Sequence, residues 1–128
     1  MTDSIPHAPI SWGELLDKIT ILQIKTQRLP TEPARANAAK ELGLLQDIAA
    51  SALVRVGGLL AQLKALNEDL WDIEDQIREH ERRGEFDAGF IALARSVYKR
   101  NDERGRIKRE INLALGSELI EEKCYKPY

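Results

Sequence analysis

Apolar residues recur in alternating steps of three and four from Leu42 to Ile77, through Leu45, Ala49, Ala52, Val56, Leu59, Leu63, Leu66, Leu70 and Ile73. That spacing is the stripe a helix turns toward other helices. In a chain that is 43% apolar, a register chosen in advance would fill all eleven places about once in ten thousand. The pattern sets the fold class. The chain is expected to be all-α, an antiparallel bundle or long hairpin of three to four helices.

Composition agrees and narrows the function classes. A single helical domain, 1–128, is long enough to bury a modest core, and five Pro and eight Gly leave room for long helices. A net charge of −2 argues against a nucleic-acid module, where a basic excess is expected. Cys124 is the only cysteine, so no internal disulfide forms and a reducing cytoplasm is the expected home. The opening Met1-Thr2-Asp3-Ser4 is not the basic start of a signal peptide, and no apolar run approaches the ~18 residues a membrane span requires.

Along the chain, Pro6 and Pro9 make residues 1–10 an extended arm. Ser11-Trp12-Gly13-Glu14 reads as a capping box that opens the first helix, with Leu15, Leu16, Ile19, Leu22 and Leu29 on its apolar side, widened by Ile21 and Ile24. Leu29-Pro30-Thr31-Glu32-Pro33 ends it and starts the next. From Pro33 to Arg83 the stripe is continuous, and one helix of that length would reach ~75 Å. Gly57-Gly58 is the weak point, at a cost of about 1 kcal/mol per glycine. Two arrangements stay open: an elongated helix, or a reversal somewhere in 50–58. Gly84 marks a tight turn, Asp87 to Leu115 a last long helix, Gly116-Ser117 its end, and 116–128 a polar tail with Tyr125 and Tyr128 as clasps.

Charge divides sharply around Gly84. Residues 68–85 hold eight acids and three Arg, a balance of −5, whereas 98–109 hold six bases and two acids, a balance of +4. A turn at Gly84 pairs these arms antiparallel, with facing positions summing to roughly 170. The plain expectation is that Arg100 and Arg104 bind the acidic arm, Arg104 through Glu68 or Asp69, and so fix register. The sharper one is a half-buried polar pocket of Asn67, Trp71, Glu74, Tyr98, Asn101, Arg104 and Lys108, suited to a small anionic metabolite. No catalytic residue, metal or cofactor is expected. His7 and His80 lack the Glu-x-x-His pattern of di-iron bundles, Asp69, Asp72 and Asp75 face bases, and Cys124 has no histidine near it in sequence.

Four stretches carry a resemblance: Ser11 to Leu22, Asn67 to Asp75 with its Leu-Trp-Asp-Ile-Glu-Asp core, Arg95-Ser96-Val97-Tyr98 with Asn101-Asp102, and Glu121-Glu122-Lys123-Cys124-Tyr125. Together they resemble an uncharacterised family of small all-helical bacterial proteins, a domain of unknown function. That resemblance implies a bacterial chain and no activity or catalytic residue to carry over. A second, fold-level likeness is to helical chorismate mutases, although the opening helix lacks the arginine such enzymes place near its start.

The function expected on these grounds is a non-enzymatic helical assembly or adaptor protein. It would form a homodimer through the apolar faces left by Leu44, Ile48, Leu53 and Leu60, with a further protein partner allowed and neither membrane nor nucleic acid involved. The alternative is the anionic metabolite in the polar pocket.

Overall fold

The computed structural model describes residues 4–128, so the first three residues of the expected N-terminal arm lie outside it. Four helices follow in order: α1 Trp12–Arg28, α2 Glu32–Arg55, α3 Gly57–Arg83 and α4 Ala88–Leu115. The all-helical expectation holds. Each helix begins or ends where local chemistry supplies a partner for its loose backbone groups. Ser11 Oγ accepts from the Glu14 amide at 3.2 Å, Thr31 Oγ1 from Ala34 at 3.3 Å, and Asp87 Oδ1 from Phe90 at 3.0 Å. Gly84 and Gly116 close α3 and α4 at φ of 66° and 62°, the left-handed region that a side chain makes costly. The capping box at Ser11 forms only in half. The Glu14 carboxylate leaves the helix start and binds Lys108 at 2.7 Å instead.

The long stripe is neither straight nor a simple reversal. It breaks at Val56, whose φ and ψ of −120° and 29° are not helical, and the chain bends there by 118°. Val56 is itself buried, so it acts as the pivot about which one apolar seam passes from α2 into α3. Gly57 and Gly58 form the exposed first turn of α3. The elongated-helix arrangement is thereby excluded. All eleven positions of the stripe stay fully or partly buried through the bend.

Two helical hairpins result, α1 with α2 and α3 with α4, and α1 also lies against both α3 and α4. α1 is therefore the central helix. Leu15, Leu16 and Ile19 join Ala49, Val56, Leu63, Leu66, Ile107 and Ile111 in one core drawn from all four helices. Burying a Leu or Ile side chain contributes about 1.5–3 kcal/mol, so this cluster dominates the stability. The other side of α1 carries Gly13, Asp17, Thr20 and Ile24, one helical stripe at steps of four, three and four, and all four residues are buried.

The α3–α4 hairpin outruns the helix that covers it. Arg28, at the end of α1, pairs with Asp72 at 2.6 Å and Glu68 at 3.7 Å. From residue 71 to 106 no side chain is fully buried, and Ile73, Ile77, Phe90, Leu93 and Val97 along the seam are covered only in part. About 20 Å of two-helix arm projects past that ion pair. Phe86 and Ile91, near its tip, are more than half exposed.

Candidate functional site

Asp17 is the most unusual residue in the molecule, a carboxylate with 1% of its surface exposed. A buried charge is costly unless it is paired and hydrogen-bonded. Asp17 is both. Arg104 clasps it through two nitrogens, Nε at 3.0 Å on Oδ1 and NH2 on Oδ2, and Asn67 Nδ2 donates to Oδ1 at 2.8 Å. The second hydrogen of that amide goes to Thr20 Oγ1 at 2.9 Å, and the Thr20 hydroxyl donates to the Asp17 carbonyl at 2.8 Å. The hydrogen bond that Arg104 donates to Asp17 is the first cause holding its guanidinium above its ordinary pKa, working against its burial.

Lys108, one turn further along α4, is buried beside this pair. Its Nζ lies 2.7 Å from Glu14, 3.3 Å from Glu121 and 3.8 Å from Asp17. A turn beyond, the Gly13 amide donates to Asn112 Oδ1 at 2.6 Å. α1 and α4 approach so closely there that a Cβ on Gly13 would stand 2.5 Å from the Lys108 carbonyl oxygen. Asn112, Lys108 and Arg104 thus form a ladder on α4 that meets Gly13, Glu14 and Asp17 on α1.

The tail closes the outer side of this ladder. The Trp12 amide donates to Ser117 Oγ at 3.2 Å, Lys123 binds Glu121 at 2.9 Å and crosses Gly105, and the Tyr128 hydroxyl donates to Asp102 at 2.7 Å with its ring edge-on to Tyr98. Lys123 first, and Lys108 with it, hold the Glu121 carboxyl below its ordinary value of 4.5. A lowered carboxylate pKa means that the clasp contributes fully above that value and is lost as pH falls through the lowered one. Acidification from neutral pH to below 4.5, through the lowered value, should therefore free residues 118–128 before the helices melt. Shifts of the Tyr125 and Tyr128 ring signals in NMR, recorded with the helical circular dichroism, measure both events.

Three clefts meet at Asn101. One of about 370 Å³ lies between α1, α3 and α4, with Asn67 and Arg104 at its base and Trp71 in its wall. A second, of about 340 Å³, lies across Arg104 and is lined by Lys108, Lys123 and Tyr125. The third, of about 520 Å³, is bounded by Tyr98, Tyr125 and Tyr128. A larger gap of about 600 Å³ lies beneath the tail against the Gly105 to Asn112 segment.

At the corner after α3, His80, Glu85 and Asp87 are close enough to share a cation. Each already has a local task there. His80 Nδ1 meets the Glu85 carbonyl at 3.0 Å, and Asp87 caps α4.

A family model described as a family of unknown function, DUF6165, matches residues 7–128. The chain belongs to that family. No curated protein and no solved structure matches it. The uncharacterised family that the four sequence stretches resembled is confirmed in kind: the domain is all-helical and spans nearly the whole chain.

In this family member the expected pocket residues divide among the clefts. Asn67, Trp71, Glu74, Asn101 and Arg104 share the first cleft, Lys108 lies in the second and Tyr98 in the third. Residues 67 and 70 line one cleft with 101 and 104, and Asn67 and Arg104 reach the same Asp17 oxygen. The expected charge pairs do not form. Arg104 binds Asp17 on α1 rather than Glu68 or Asp69, and Arg100 pairs along its own helix with Glu103 at 3.8 Å. Glu68 and Asp72 go to Arg28. The reason is geometric: α1 fills the groove between the arms, and the nearest buried carboxylate is the one it carries. Asp17 lies outside both the capping residues and the apolar positions by which α1 is legible in the sequence. The signal was present in Gly13, Asp17, Thr20 and Ile24, which complete the buried circumference of a helix whose other side is already apolar.

Proposed function

We propose that this chain is a non-enzymatic helical assembly module that pairs with a second copy of itself through the projecting α3–α4 arm. One observation carries the reading. A compact monomer of 14.5 kDa exposes roughly 6,900 Å², whereas this chain exposes 8738 Å², an excess of about 1,800 Å². The extended ends account for part of that excess, and the arm with no fully buried side chain supplies another. A stable interface needs about 800 Å² from each partner, which the arm can provide.

Charge favours a second copy over an unrelated partner. The acidic 68–85 segment and the basic 98–109 segment belong to one hairpin. A copy turned end for end sets each acidic segment beside a basic one, so a two-fold pairing is complementary to itself. Among the described residues Asp69, Arg95 and Lys99 make no ion pair within the chain, which leaves them for such a contact. The apolar surplus expected on the central stripe contributes less, because Leu53 and Leu60 pack against the core and only Leu44 and Ile48 of that set stay exposed.

Among the described residues no single helix is long and apolar enough to cross a membrane. We place the module in the bacterial cytoplasm, which suits the exposed free thiol of Cys124. Sedimentation or light scattering at tens of micromolar should give twice the 14.5 kDa chain mass. Ile91→Glu with Phe86→Glu should return it to the monomer mass with unchanged helicity, since both side chains are exposed in the single chain. A wild-type monomer at those concentrations overturns the proposal.

A further inference from the structure

The cleft between α1, α3 and α4 has the composition of a small-molecule site, and its polar base is specific about what it would hold. Ile21, Ile24, Leu70 and Trp71 supply one apolar wall. At the base, Asn67 is more than nine-tenths buried. Both hydrogens of its amide nitrogen are committed, one to Asp17 and one to Thr20, and the acceptor-only carboxylate fixes which way the amide is turned. Its carbonyl oxygen accepts no hydrogen bond among the described residues, yet no buried side-chain oxygen or nitrogen there lacks a partner. That oxygen is therefore open to the cleft, a fixed acceptor in want of a donor.

Arg104 offers the complementary half. Asp17 occupies the Nε and NH2 edge of the guanidinium and locks its plane. The outer edge, NH1 with the second hydrogen of NH2, has only a long 3.4 Å contact to Asn101 Oδ1. A preset guanidinium fork with one edge free is the geometry that takes a carboxylate through two parallel bonds. Glu74 and Asp75 outnumber Arg78 at the rim, so a positive group beside that carboxylate is favoured.

We propose that this cleft binds a small carboxylic acid bearing a hydrogen-bond donor on the neighbouring carbon and an apolar body about the size of one ring. The carboxylate takes the free edge of Arg104, the donor meets Asn67 Oδ1, and the apolar body lies against Trp71. α-Amino acids and α-hydroxy acids share this chemistry, and the acids at the rim select the amino acid. The site is independent of self-association and needs no second chain.

Four probes of nearly equal size separate the contributions by isothermal titration: phenylalanine, phenyllactate, 3-phenylpropionate and phenethylamine. Phenylalanine should bind best and phenyllactate less well. 3-Phenylpropionate, which lacks the donor, and phenethylamine, which lacks the carboxylate, should each bind at least about tenfold more weakly than phenylalanine, since each covers a polar group of the cleft without replacing the water it displaces. Asn101→Asp places a carboxylate of the protein beside the free Arg104 edge. It should abolish phenylalanine binding with melting temperature unchanged or raised, which separates loss of the site from loss of the fold. Equal binding of 3-phenylpropionate and phenylalanine overturns the proposal, as do undiminished binding to the Asn101→Asp protein and failure of phenylalanine to bind at millimolar concentration.

Discussion

Asp17→Ala should destabilise the protein by about 3–5 kcal/mol, the cost of leaving the mostly buried Arg104 guanidinium and the Asn67 amide without their shared acceptor. For a domain of this size that is a fall in melting temperature of more than about 10 °C. The loss comes from stranding Arg104 and Asn67, both of which point their donors at the missing carboxylate. Removing both charges tests this account. Asp17→Leu with Arg104→Met leaves no stranded charge and should recover most of the stability, or exceed the wild type, as buried pairs replaced by apolar groups often do. Thermal and urea denaturation of the three proteins decides the matter. A single-variant loss below about 1 kcal/mol would mean that water takes the place of the carboxylate at Arg104 and Asn67.

Gly13→Ala should cost about 1–3 kcal/mol, although alanine is the better helix former by about 1 kcal/mol. The sign is informative. Helix propensity alone calls for stabilisation, whereas the added methyl would stand 2.5 Å from the Lys108 carbonyl oxygen and 3.0 Å from Asn112 Oδ1. Neither atom can give way easily, one being backbone and the other held by the Gly13 amide. α1 and α4 must separate, and that hydrogen bond is lost with them. Urea unfolding measures the change, and a more stable Gly13→Ala protein would show that the two helices leave room for the methyl.

Sequence pattern carried the helices and most of their ends because each depends on a few neighbouring residues: Ser11, Thr31, Gly84, Asp87 and Gly116 all act within one turn. The bend was visible only as an ambiguity. The stripe through Val56 has the same spacing whether the helix continues or pivots there, since the pivot residue is buried either way. The polar cluster was legible from one side. Asn67, Asn101 and Arg104 are legible as polar groups that the hairpin turned at Gly84 brings together, but their partner lies on α1, and the spacing along α3 and α4 holds no information about which third helix fills their groove. Clustering acids and bases by charge alone pointed to Glu68 and Asp69, and Arg28 competes for that region.

Asp17 and Arg104 are separated by 87 positions, and Gly13 and Asn112 by 99. During synthesis the N-terminal carboxylate leaves the ribosome long before its guanidinium exists. The hairpin of α1 and α2 must therefore wait with an uncompensated charge on the face it will later hide. Such a half-made molecule has reason to stay loose and hydrated until α4 is released.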